Sequence, residues 1–227
     1  MAQAKESNDL KLDHFKVYKQ YYYVEQRPLK LQLQGQFDQS PIAAEIDHML
    51  YFATPVRKNN SPLVDKNAHL AFYNLHGPRE RRRVVVLKNQ FGLQKLLLGP
   101  ALYLLVPSHK VEEGSTFPSQ LDHYKAYQVL EGQLVDKNVV LADQVDRQDR
   151  VEVTKPALFC VPVAKTVNDK TSRIVNAKAH ITFYDITPRR HRVRKTSKDQ
   201  FGEHQLVLAT SVFLGVPTLK LDWGVVG

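Results

Sequence analysis

The chain has 227 residues, 43% of them hydrophobic and 9% aromatic, which is enough to bury a core and too apolar for a disordered chain. Its 32 Lys and Arg against 23 Asp and Glu leave a formal charge of +9, which admits nucleic acid, an acidic polymer or a membrane surface as partner without requiring one. A single cysteine, Cys160, excludes an intrachain disulfide, and no apolar run approaches the roughly 18 residues that cross a bilayer.

Residues 1–11 are short and polar and read as a tail without the apolar core of a leader. From there the chain says nearly the same thing four times, with a period of about 55 residues. The first copy carries His14, Tyr18, Gln36-Phe37-Asp38, Pro55 and Lys58; the second, His69, Tyr73, Gln90-Phe91-Gly92, Pro107 and Lys110. The third carries His123, Tyr127, Gln144-Val145-Asp146, Pro162 and Lys165; the fourth, His180, Tyr184, Gln200-Phe201-Gly202, Pro217 and Lys220.

Inside a repeat the signals are β. Repeat two predicts strands over Leu70–Leu75, Arg83–Leu87, Leu93–Leu98 and Ala101–Val106, with Gly99-Pro100 as a turn. Each recurring proline is expected to end a strand, because it cannot donate to a ladder. Ile42–Phe52 is the one place where Ala43, Ala44, Glu45 and Met49 leave a short helix open. On the first strand of each repeat, alternation puts the His and Tyr on one amphipathic face. Phe15 and Val17, Leu70 and Phe72, Tyr124 and Ala126, and Ile181 and Phe183 then lie on a core face.

Repeat one most resembles repeat three (Leu12-Asp13-His14 and Leu121-Asp122-His123), and two resembles four. With the Glu-Gly-Ser-Pro stretch 113–120 as linker, this predicts an all-β protein of two tandem antiparallel sandwich or barrel domains, over 12–112 and 121–227. A single four-bladed β-propeller satisfies the same strand count.

The order of these motifs resembles a family of bacterial repeat proteins known only as a domain of unknown function. The resemblance covers nearly the whole chain. It implies a fold and supplies no reaction. Its repeats place cysteine at the strand-end position before the Tyr and two residues before the Pro. Here those positions hold Val17, Phe72, Ala126 and Phe183, and Ala53, Leu105, Cys160 and Gly215. Apolar volume in place of a bridge suits a reducing compartment. The expected location is therefore cytoplasmic, or secreted where a leader has been removed.

Chemistry is sparse. Nucleophile elbow, Gly-rich phosphate loop, His-Glu-x-x-His and Cys-x-x-Cys are all absent, so no cofactor or metal is assigned. The four His read as structural. Two arginine clusters, Arg79, Arg81, Arg82 and Arg83 in repeat two and Arg189, Arg190, Arg192, Arg194 and Lys195 in repeat four, occupy equivalent loops. They are candidates to grip phosphates or carboxylates. The matching loop of repeat one carries Tyr21-Tyr22-Tyr23 instead. After Lys220 the chain adds Leu221, Trp223, Val225 and Val226, expected to add a strand to its own fold or to a neighbouring subunit. The expected function is a non-catalytic structural protein that forms homo-oligomers. The alternatives are a module binding nucleic acid, an acidic polymer or an acidic partner through the arginine loops, and an enzyme of unknown reaction.

Overall fold

The structure is a computed structural model and describes residues 10–24 and 27–226, so most of the predicted tail over 1–11 lies outside the described residues. Twelve strands follow in chain order: β1 (His14–Val24), β2 (Leu29–Gly35), β3 (Ile42–Lys58), β4 (His69–His76), β5 (Arg83–Asn89) and β6 (Gly92–Lys110). After them come β7 (His123–Glu131), β8 (Lys137–Ala142), β9 (Asp149–Val167), β10 (Lys170–Ser172), β11 (His180–Asp199) and β12 (Gly202–Val225). The protein is all-β. Ile42 opens a strand rather than a helix, because Ala44 and Ile46 are buried at alternate positions and Ile42 pairs with Leu33. Among the described residues no helix is long and apolar enough to cross a membrane.

All ladders are antiparallel. Around the molecule β1 pairs β3, β3 pairs β4, β4 pairs β6 and β6 pairs β7. Then β7 pairs β9, β9 pairs β11, β11 pairs β12, and β12 returns to β1. The sheet closes into a ring, with the first strand of each repeat lying between the long strands of its own and the preceding repeat. The expected division into tandem domains therefore becomes one continuous sheet. Residues 113–120 do connect β6 to β7, but those two strands pair with each other across the connection, and β1 pairs with β12. The same ladders exclude separate propeller blades.

Each repeat also sends out a hairpin, and the hairpins cross the ring. β2 pairs the start of β3 and the end of β9; β5 pairs the start of β6 and the tail of β12. β8 pairs the start of β9 and the end of β3; the second half of β11 pairs the start of β12 and the end of β6. Every hairpin thus reaches the long strand two repeats away.

This explains the prolines, which lie inside strands rather than at their ends. Pro55 faces Phe15 in a ladder; on its other side β3 has left β4 at Ala53 and meets β8 only at Arg57. Pro107, Pro162 and Pro217 sit in the same gap of β6, β9 and β12. Each lies between the ladder to the next repeat and the ladder to the crossing hairpin. A residue without an N–H is tolerated where no acceptor faces it. Gly99-Pro100 likewise lies within β6, where the ladder to β7 shifts register between Leu98 and Ala101. Gly92 and Gly202 close the β5–β6 and β11–β12 hairpins at φ of 105° and 140°, with open space where a Cβ would stand, so backbone conformation alone selects glycine there.

The ring interior is one core drawn from all four repeats, including Phe15, Val17, Leu70, Phe72, Tyr124, Ala126, Ile181 and Phe183, as alternation predicts. Cys160 is buried in it, and burial holds its thiol well above the usual range. The opposite, His-and-Tyr face is buried too, because the crossing hairpins cover it with three further apolar clusters.

Candidate functional site

The repeated motifs meet at the hairpin corners. Phe37 packs edge-on against Tyr127 with ring centroids 5.4 Å apart, Phe91 against Tyr184 at 5.0 Å and Phe201 against Tyr73 at 5.3 Å. Val145 packs in the cluster that holds Tyr18. Each of these Tyr comes from the repeat two away. The corner Gln meets the His of the preceding repeat: Gln36 with His180, Gln90 with His14, Gln200 with His123. The recurring Lys of that same repeat covers the corner ring, Lys58 over Phe91, Lys165 over Phe201 and Lys220 over Phe37. Lys110, the recurring Lys of repeat two, pairs instead with Glu112 at 3.0 Å.

The residue before the Gln completes the lock. Tyr18 donates to Asp143 and Tyr73 to Asp199, both at 2.7 Å, while Asn89 donates to Tyr184 at 2.8 Å. Repeat one has Gly35 there, and Asp38 takes the charge, pairing with Lys125 at 2.9 Å. Asp13 and Asp122, the Asp before two of the His, accept the backbone N–H of Val64 and Asp65 and of Val175 and Asn176. They line a cavity of about 590 Å³ at one end of the ring, with their oxygens already engaged in holding its loops. Burial drives the imidazoles of His14, His69 and His180 down to about 4, and that of His123 to about 3. Neutral, enclosed imidazoles of this kind hold the fold. Function must be sought where the repeats differ.

Ligand atoms of Asp146, Asp149 and His191 lie within 4.8 Å of one another. Yet the Arg189 guanidinium bridges the two carboxylates at 2.9 and 3.1 Å, and buried Lys16 reaches Asp149 at 2.5 Å. Two cations already occupy the position a metal ion would take. Arg189 is thus spent on internal pairing.

Arg83 is spent as well. It is buried, bonded to Glu80 at 3.1 Å, with its guanidinium over the rings of Phe37 and Tyr127. Arg79, Arg81 and Arg82 remain exposed in the β4–β5 connection. The two clusters are not brought together: the N–H of Val226, beyond the end of β12, bonds the Arg82 carbonyl, while Arg194 pairs with Val207 far back along the strand.

The second cluster is a strand and not a loop. β11 extends from His180 to Asp199; Arg192 and Arg194 are exposed at alternate positions with Lys198 continuing the series, and Arg190 is exposed on the other side of a register shift between Arg190 and Val193. Lys195 lies at the intervening parity, beside Leu206. Among the described residues no carboxylate pairs with these four cations. Across the sheet Arg190 and Lys19 flank Thr210 in one row. Beyond Lys19, β1 carries Tyr21 and Tyr22, exposed at 60% and 66%, their rings edge-to-face at 4.8 Å. Sequence reasoning singled out the arginines but missed Lys19 and Lys198 as their neighbours. The period-two spacing of the arginines was the signal for a strand face.

The C-terminal segment pairs within its own fold, Leu219–Val225 against Lys88–Arg83 of β5. Trp223 packs at a tilt against Phe37 with ring centroids 4.8 Å apart, and Leu221 and Val225 are half exposed.

A family model described as a repeat of unknown function (DUF7450) matches residues 69–217, more than half of the chain. The chain belongs to that family. The DUF7450 match runs from the first strand of repeat two to Pro217 and so includes the β11 face, but not β1. Comparison with curated proteins and with solved structures gives no match to either.

Proposed function

We propose that the chain is a non-catalytic binding module that holds a polyanion on the exposed face of β11. The observation that carries this reading is the set of four exposed cations along the second half of β11, Arg190, Arg192, Arg194 and Lys198, which no carboxylate pairs among the described residues. Alternate side chains on a strand recur about every 6.6 Å, so Arg192 and Arg194, flanked by Arg190 and Lys198, present a cluster of charge suited to phosphates or sulfates. Tyr21 and Tyr22 beside that line supply rings on which unstacked bases can rest, which favours single-stranded nucleic acid among polyanions.

The test compares single-stranded DNA with heparin. Arg190→Glu, Arg192→Glu and Arg194→Glu together should abolish retention on both while leaving the melting temperature unchanged. Tyr21→Ala with Tyr22→Ala should weaken DNA alone. Equal retention of wild type and the arginine variant would remove the proposal.

A second reading, self-association, is favoured by β12. From Leu219 onward it has one strand partner among the described residues, and Leu221, Trp223, Val225 and Val226 leave apolar surface beside its outer edge. Light scattering across a concentration series would show a dimer that Leu221→Lys and Val225→Lys dissolve. The absence of cysteine from seven of the eight positions where the resembling repeats carry it supports a reducing, cytoplasmic setting for either reading.

A further inference from the structure

A second and separate feature lies under the repeat-four corner. Lys165 is only 2% exposed, yet it has no carboxylate within salt-bridge distance and no hydrogen-bond acceptor among the described residues. Its Nζ lies 5.3 Å from the centre of the Phe201 ring. The nearest acid, Asp199, is engaged by the Tyr73 hydroxyl, the Phe201 N–H and His204. A buried ammonium is costly unless a counter-charge meets it. Burial accordingly lowers the Lys165 ammonium to about 8.

Lys165 lines a cavity of about 540 Å³ together with Leu29, Val167, Asn168, Lys170, Ser172, Gln200 and Phe201. That volume falls in the range of roughly 300–1,000 Å³ typical of small-molecule sites. The lining has two ammonium groups, three neutral polar side chains, three apolar ones and no carboxylate. The other copies of this lysine differ: Lys110 is neutralised by Glu112, and Lys58 and Lys220 are only partly buried. This is the repeat motif adapted at one of its four positions.

We propose that the cavity binds a small organic anion, its charged head between Lys165 and Lys170 and a short apolar group against Leu29, Val167 and Phe201. The ligand would supply the counter-charge that Lys165 lacks among the described residues, and Ser172 and Asn168 can donate to its remaining oxygens. The site shares no residue with the β11 face, so either proposal can fail without the other.

Calorimetric titration with phenyl phosphate and with benzoate, using phenol as the uncharged control, tests it. We expect at least one anion to bind, phenol not to bind, and the preferred anion to tell a phosphate site from a carboxylate site. Lys165→Met should reduce affinity at least about tenfold and melt no lower than wild type, since it removes an unpaired buried charge. Lys170→Gln, at an exposed position, should weaken binding without touching the core and decides the question if the Met variant fails to fold. No heat from either anion at about 10 mM, or equal affinity in wild type and Lys170→Gln, would overturn the proposal.

Discussion

His14, His69, His123 and His180 set the acid limit of this molecule. Each sits behind a crossing hairpin, and burial is the first cause of its lowered pKa. The unfolded chain takes up these protons near pH 6.5 and the folded chain only near 3 to 4. Their contribution is therefore full above pH 6.5 and is lost as pH falls toward 4. Each contributes up to about 1.4 kcal/mol per pH unit in that window, so denaturant titrations from pH 7.5 to 4.5 should show stability falling by several kcal/mol. A flat profile would mean that these rings reach solvent. Asp13 and Asp122, whose pKa burial raises, act in the opposite direction at the acid end. In the ring interior, Phe72 and Phe183 are fully buried and touch edge-on at 5.3 Å. Replacing either with Ala should cost roughly 3–5 kcal/mol by urea unfolding. A loss below about 1 kcal/mol would mean that the core relaxes to fill the space.

Within each repeat the first strand and the long strand face each other at fixed positions: Val17 with Ala53, Phe72 with Leu105, Ala126 with Cys160, and Phe183 with Gly215. Antiparallel partners lie about 4.5–5.5 Å apart at Cα, inside the range a disulfide spans. Val17→Cys with Ala53→Cys should therefore oxidise to a bridge, read as a mass loss of two hydrogens and a raised melting temperature. Free thiols after oxidation would contradict the register. At the fourth pair Gly215 makes room for its partner, since a Cβ there would lie 2.5 Å from the Phe183 ring. At the other end of β12, truncation after Lys220 removes the outer partner of β5 and should lower the melting temperature. An unchanged value would show that this ladder adds nothing. Strand identity and face were legible because period-two alternation is local. Strand length was not, because proline and Gly-Pro read as stops until the ladder on each side is known.

At the scale of the whole chain, the four-fold repeat was plain in the sequence, but how the copies join was not. Likeness between repeats one and three suggests two units, whereas the hairpins of those same repeats cross to each other's long strands. β2 meets β9 and β8 meets β3, so the likeness reflects a shared interface rather than a separate domain. The repeated His, Gln, Phe and Tyr are consumed in these interlocks. Arginine composition pointed to the β11 face, yet local sequence could not show that Asp146 and Asp149 capture Arg189, or that Glu80 captures Arg83. The proposed function rests where one copy departs from the others, above all on the β11 cations that no carboxylate pairs among the described residues. The salt dependence of single-stranded DNA affinity tests this most directly. Three to four phosphate contacts give a slope of about −2 to −3 for log affinity against log salt. Wild type should show that slope, and Arg190→Glu, Arg192→Glu and Arg194→Glu together should bring it near zero with an unchanged melting temperature. The same slope in both proteins would contradict the account.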